Sequence, residues 1–484
     1  MISRGRAVSE DAPYAAPHRA PPARTAAGRL PSGRTLGLRR LILRPARLRA
    51  LLAGGALLGS AATAAAQTAQ NIQTYFPPGN AGYDQELGVT VLTRLRPLYE
   101  SPGVQVGSFT VYPSLDQSLL YNSNLNGTTP AVGSWGESTS AAVTAASNWV
   151  RDSLAFTAGV SDNQFFELPG DNFVNWNVGL SGGYTINDSL LRASYAHQTF
   201  YTLGTTIATT VSQAPVENQI DSGDLTYTFN FGNLAIIPDL NVSAYSFGPA
   251  LVNGHLLDQS FLNRNVVAGG IDGRYSLSDE GSILVVARGV VSDYTQPQPG
   301  QPSNNSDGFE LLGGLDYQGE GVWRYRLLVG GEKIMFQAPQ YASQTAPIAE
   351  ASVIWTPTGL TTLTASLSRE IEDPTAADTI AFLSTGGSLV IDHELMPNVF
   401  LQARGSDTYV QYLDSGGQGQ NAVSVGAGAT WLLSRNFRLI LNYDFIKQTG
   451  LSGVATTGPI SVANPLVNGA FVQHLVMLTL HVNL

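Results

Sequence analysis

Arginines stand singly among polar residues at Arg192, Arg274, Arg288, Arg324, Arg326, Arg404 and Arg438, and Asp272 and Asp316 lie in the same stretches. A guanidinium stays charged at any ordinary pH, and its planar fork holds carboxylates, phosphates or sugar hydroxyls. Set in a wall, such groups steer anions; set across from Asp272 and Asp316, they form ion pairs that stiffen the wall. Catalysis has no comparable constellation. Beyond residue 66, histidine occurs at His197, His255, His393, His474 and His481, none beside a nucleophile motif such as Gly-x-Ser-x-Gly. Metal-ligand spacings and glycine-rich phosphate loops do not occur in the sequence. It therefore predicts no catalytic residues, no metal site and no cofactor.

The elements that position the arginines are alternating segments. Side chains two apart share one face of a strand. Placing Trp323, Tyr325, Leu327 and Val329 on one face puts Arg324, Arg326 and Glu332 on the other, and placing Leu191, Ala193 and Tyr195 on one face puts Arg192 and Ser194 opposite. The same parity puts Asp272, Arg274, Arg288, Glu310, Asp316, Arg404, Arg438 and Asp444 on polar faces. Many segments hold the alternation for about 9 to 12 residues, enough to cross a bilayer when tilted, whereas soluble strands run to about 5 or 6. No apolar run is long enough for a spanning helix, and a chain that spans without helices must close a sheet.

Short polar reversals punctuate these segments near Val150-Arg151, Asn187-Asp188, Asn233 to Asp239, Ser278 to Glu280, Gly319 to Gly321, Thr356 to Gly359, His393 to Pro397 and Ser434 to Asn436. Longer polar stretches alternate with them, such as Thr199 to Val216, Thr295 to Ser306, Gln337 to Ala346 and Ser415 to Gln420. Eight short turns and nine long loops predict an all-β fold: a transmembrane antiparallel up-and-down β-barrel of about 18 strands (16 to 18), with short periplasmic turns and long extracellular loops. The glycine pairs at 182–183, 269–270, 313–314, 330–331 and 386–387 are assigned to barrel shape. Trp149, Trp176, Tyr184, Tyr275, Trp323, Trp355 and Trp431 fit interfacial girdles. The C-terminal segment has Val476, Leu478, Leu480 and Val482 on one face, and ends on Leu484 where barrels commonly end on an aromatic residue.

Residues 1–66 differ in composition. They hold eleven arginines with only Glu10 and Asp11 as acids, then an apolar run from Ala50 to Ala62 and Ala64-Ala65-Ala66 before Gln67. This reads as a signal peptide with a long basic leader, followed by a periplasmic lead-in at 67–104 and a barrel at 105–484. Removing 11 of 26 basic and 2 of 36 acidic residues leaves 15 against 34, a net charge of −19. Nucleic acid is excluded as a partner on that balance. Outer-membrane lipid, lipopolysaccharide and the barrel-insertion machinery are the partners expected, with a polysaccharide or a small solute as cargo. The absence of cysteine fits an exported bacterial protein.

Ahead of the first long strand, the chain reads Arg94-Leu95-Arg96-Pro97, then Gly103 to Gly107-Ser108-Phe109, then Pro113-Ser114-Leu115, with a tail Tyr121-Asn122-Ser123-Asn124. This ordered motif resembles the lead-in of the putative outer-membrane beta-barrel porin 2 family. The resemblance implies an alphaproteobacterial outer-membrane barrel, some of whose relatives accompany exopolysaccharide export, and it implies no catalytic residues. Physically, Pro97 and Pro102 hold the chain extended or turned, Gly103 and Gly107 permit a tight entry, and Arg94 and Arg96 can meet carboxylates at the barrel rim. The functional expectation is a porin-like channel in the bacterial outer membrane, passing solutes or an exopolysaccharide through an arginine-lined lumen. The competing expectation is a non-conducting surface or assembly protein with a plugged lumen.

Overall fold

The computed structural model describes residues 90–484 except 299, 320–321, 377–378, 414–417, 452–466, 468 and 484. The expected signal peptide and most of the expected periplasmic lead-in lie outside the described residues. A short strand β1 (Val104–Val106) turns into β2 (Phe109–Asn122), followed by β3 (Ser134–Ser147), β4 (Ser153–Phe165), β5 (Phe173–Ile186), β6 (Ser189–Thr202), β7 (Val216–Phe231) and β8 (Leu234–Phe247). A small hairpin, β9 (Ala250–Val252) and β10 (His255–Leu257), decorates the next connection. Then come β11 (Arg264–Ser276), β12 (Gly281–Tyr294), β13 (Ser306–Tyr317), β14 (Trp323–Phe336), β15 (Gln344–Thr358), β16 (Thr361–Glu372), β17 (Phe382–Met396), β18 (Val399–Tyr412), β19 (Gly419–Leu432), β20 (Phe437–Gln448) and β21 (Phe471–Asn483).

Each long strand pairs antiparallel with its neighbours, and β2 pairs with β21 from Ser114↔Asn483 to Asn122↔Leu475, so eighteen strands close into a barrel. Closure leaves no edge, as hydrocarbon demands. Among the described residues, no helix is long and apolar enough to cross a membrane. Alternation sorts the faces. On β21, Val476, Leu478 and Leu480 are exposed outward while Leu475, Met477, Thr479 and His481 are buried inward. Outward aromatics gather where the turns are short, with Trp323 stacked on Trp355 at 5.0 Å and Tyr317 on Tyr325 at 5.3 Å. Trp135 and Trp176 stand toward the long-loop end.

Three expected turns are shorter than read. Leu234 to Asp239 belongs to β8, Thr356 to Thr358 to β15 and His393 to Met396 to β17, so the actual reversals are 232–233, 359–360 and 397–398. Pro238 misled the reading. It lies where the β7–β8 ladder skips from Thr226↔Asp239 to Phe229↔Ile236, a gap that tolerates a residue without an N–H. Pro357 does the same in β15, inside the register shift between Trp355 and Thr358.

Glycine sets the wall spacing at one place. A Cβ on Gly330 would sit 1.9 Å from the carbonyl oxygen of Leu311, and one on Gly314 would sit 1.8 Å from that of Leu327. No side-chain adjustment relieves contact with backbone, so the strands themselves would have to part. Gly313, one residue away on the outward face, meets nothing nearer than 3.9 Å. Gly330→Val should therefore cut the folded, heat-modifiable fraction on gels several-fold, while Gly313→Val leaves it near wild type. Equal yields from the two variants would contradict this.

Candidate functional site

The inner wall carries the charged residues singled out above. Arg274 and Arg326 both reach Asp316, at 3.4 and 3.3 Å. Arg288 holds Glu310 at 2.9 Å and approaches Glu350 at 4.0 Å, and Arg404 grips Asp444 through two nitrogens at 2.8 and 2.6 Å. Arg438 is buried near the short-turn end of β20, Arg324 is half-buried and Arg192 is exposed on its strand. Asp272 behaves differently from the pairing expected of it. It is 3% exposed and both carboxylate oxygens lack a hydrogen-bond partner. Asp239 on the neighbouring strand β8 is in the same state. Four of the arginines named first are thus held by close carboxylates, while further carboxylates remain.

Two long connections fold inward from the wall. Residues 203–215, between β6 and β7, bury Leu203, Ile207, Ala208 and several threonines. Ile207 and Ala208 pack against Phe382, Val410 and Tyr412 of β17 and β18, on the far side of the barrel. There Thr209 bridges to Thr375, and the Thr375 hydroxyl donates to the Ala208 carbonyl at 2.6 Å. The second connection, described over 373–376 and 379–381, is anchored at Asp373 and Pro374 by Arg264 at the start of β11. This arginine is 1% exposed, lies 3.2 Å from Asp373, donates to the Pro374 carbonyl at 3.2 Å, and sits over the rings of Tyr245, Phe247 and Tyr294 at 4.7 to 5.8 Å. Ser292 adds a 2.7 Å bond to Asp373. The sequence reading missed Arg264, although it shares parity with Asp272 and Arg274.

The lead-in motif closes part of the other mouth. Arg96 donates to Glu394 of β17 at 2.6 Å and stacks on Phe400 at 4.4 Å, Arg94 lies 3.4 Å from the same carboxylate, and the Val91 N–H donates to Thr362 at 3.0 Å. Val91 is fully buried with Phe400 and Leu432. The expected contact of these arginines with a rim carboxylate is therefore present. Pro97 sits in a turn beyond Arg96, and Pro113 lies within β2. Gly103 has φ +70°, and a Cβ there would strike Thr110 and Tyr112 at 2.7 Å. Gly107 and Ser108 make the reversal from β1 to Phe109, whose ring packs edge-on against Trp149. The motif's tail locks the seam: the Gln473 amide donates to the Asn122 side chain and the Asn124 carbonyl at 3.0 and 2.9 Å.

Histidines serve other contacts. His481 meets Asp116 across the seam at 2.6 Å. His197, on the outward face beside Trp176, lies 2.8 Å from Asp221 and 3.3 Å from Thr199. That relay lacks an accessible nucleophile, since Thr199 is buried, and the adjacent backbone is paired in the ladder. Among the described residues no group of histidines and carboxylates could hold a metal ion. In the loop after β4, burial raises the Asp171 carboxyl above its ordinary range, an effect partly offset by the Asn126 amide 2.7 Å away.

A closed antiparallel barrel with an apolar outer face, a charged inner face and inward-folded loops defines an outer-membrane protein of porin type. Residues 96–455 match the putative beta-barrel porin 2 family, and the chain belongs to it. No curated protein sequence matches significantly. Among solved structures, OccK1 (OpdK) of Pseudomonas aeruginosa aligns with 77% of this chain and 99% of its own at 11% identity and TM-score 0.42. The FrpB iron transporter of Neisseria meningitidis aligns at 8% identity and TM-score 0.40, covering 77% and 82%, and the copper transporter OprC at 12% and 0.38, covering 80% and 82%.

The lead-in contact is directly testable. Losing a charge-assisted hydrogen bond costs about 1.5–3 kcal/mol, which here falls on the segment and not on the eighteen-strand ladder. Arg96→Ala should speed proteolysis within residues 90–103 by at least about tenfold and leave barrel heat-modifiability unchanged. Unaltered protection would remove the Arg96–Glu394 pair from the account.

Proposed function

We propose that this protein is a narrow solute channel of the bacterial outer membrane, with its long loops outside and its lead-in motif in the periplasm. The observation that carries the reading is the cross-lumen contact of residues 203–215 with 375 and 382. A loop laid inside a closed barrel leaves a restricted polar passage, the arrangement expected where size and charge select what passes. This favours small polar solutes over an exopolysaccharide strand as cargo. Four arginines of the expected band, Arg274, Arg288, Arg326 and Arg404, have carboxylate partners, so an anion preference has less support than the parity of the arginines alone suggested.

A second reading has its own observation. The lead-in occupies part of one mouth and the loops occupy part of the other, as a plugged, non-conducting assembly or surface protein would require. Planar-bilayer recording separates the two. The channel reading predicts discrete single-channel steps from the folded barrel, with conductance at least about doubled when residues 204–214 are replaced by a short Gly/Ser linker. A folded barrel silent both before and after that replacement would favour the plugged reading.

A further inference from the structure

On the inner wall, beside the C-terminal end of β16 and Asp373, lies a cavity. Its lining includes Glu310, Glu332, Glu370, Glu372 and Asp373, with Arg288 as the cation among them, and its apolar flank is formed by Val266, Val290 and Ile334. Part of this charge is already answered. Glu310 has Arg288, Asp373 has Arg264 and Ser292, and Glu332 accepts the Ile371 N–H at 2.8 Å. The balance is only partly answered. Glu372 is 3% exposed, lines the cavity, and is hydrogen-bonded to Ser384, yet its Oε2 has no hydrogen-bond partner. Glu370 opens into the same space.

A buried carboxylate oxygen without a donor is costly, and that cost falls when a ligand supplies one. A cationic donor suits the site best, because Arg288 and Arg264 are engaged by Glu310 and Asp373 while Glu332, Glu370 and Glu372 take part in no salt bridge among the described residues. A bare metal ion does not suit the site, since among the described residues no three such groups converge as ligands. The carboxylates are spread around a cavity that also has an apolar flank. That combination suits a molecule with separated ammonium groups joined by a hydrocarbon chain. We propose that this cavity is a binding subsite for small aliphatic diamines and polyamines on their way through the barrel. As a statement about cargo it rests on the channel reading; as a statement about binding it does not.

The test uses the full-length folded barrel in detergent and 1,5-diaminopentane as probe, with the neutral 1,5-pentanediol as control at matched ionic strength. Calorimetry should detect the diamine and not the diol. Glu372→Gln should weaken diamine binding at least about tenfold, the loss of one charge-assisted bond. Glu370→Gln, at an exposed position that lines the cavity, should weaken it several-fold and keeps the test valid if the buried substitution impairs folding. Equal heats for diamine and diol, or unchanged affinity in a folded variant, would overturn the subsite. In bilayers, diamine should block the open channel, and E370Q should relieve the block. Binding without any current would sink the channel reading and leave the subsite standing. Current with neither binding nor block would do the reverse.

Discussion

The structure depends on the ladder between β2 and β21. In hydrocarbon an unpaired backbone N–H or carbonyl costs several kcal/mol, so an open sheet of this size could not rest in a membrane. The seam joins the chain's first and last long strands, over three hundred residues apart, and it is reinforced where ladders are most exposed to error. Ser118 bonds Thr479 at 2.8 Å, Asp116 meets His481, and Gln473 ties both Asn122 and Asn124. Beyond Ser114 the strand β2 outruns β21, and β1 takes over its edge from Val104↔Val111 to Val106↔Phe109. The family motif therefore does two mechanical jobs, ending one edge of the closure and filling part of the short-turn mouth.

Closure also decides where polar chemistry goes. With one face of every strand committed to lipid, most charged wall residues turn inward, where they must find each other or water, and the outward Asp221 is held by His197. Arg274, Arg326 and Asp316 form one such knot, Arg404 and Asp444 another. The same enclosure lets two long connections fold back inside, since their polar backbones meet threonine, asparagine and arginine side chains there. Arg264 is the clearest case. Its burial beneath three aromatic rings is compensated by carbonyl and carboxylate contacts from the loop it holds.

Much of this was legible in the residues. Turns announce themselves through Asn, Asp, Gly and Ser, so the rhythm from Asn187-Asp188 to Ser434 led to eighteen strands. Parity placed Arg326 and Asp316 on one face because a period of two survives imperfect sequence. Proline misled at Pro238 and near Pro397, since its missing N–H marks a turn and a ladder gap alike. Partner choice was illegible. Nothing local says that Arg288 takes Glu310 and that Asp272 takes no hydrogen-bonding partner, because those pairings depend on the diagonal offset between tilted strands. The contacts of Ala208 with Thr375 and of Arg264 with Asp373 were equally hidden, since they join segments far apart in sequence that meet only inside the closed barrel.

The central claim is that the connection after β6 crosses the inside of the barrel to meet the one after β16. The chain has no cysteine, so a pair introduced at Thr209 and Thr375 would be unique. These residues are bridged backbone to backbone, within the separation a disulfide needs. Mild oxidation of the folded, membrane-inserted double variant should join them rapidly and nearly completely, as read by mass spectrometry of the digested protein. Free thiols in a barrel that remains folded would mean that the loop does not cross the lumen, and the account of a constricted passage would fail with it.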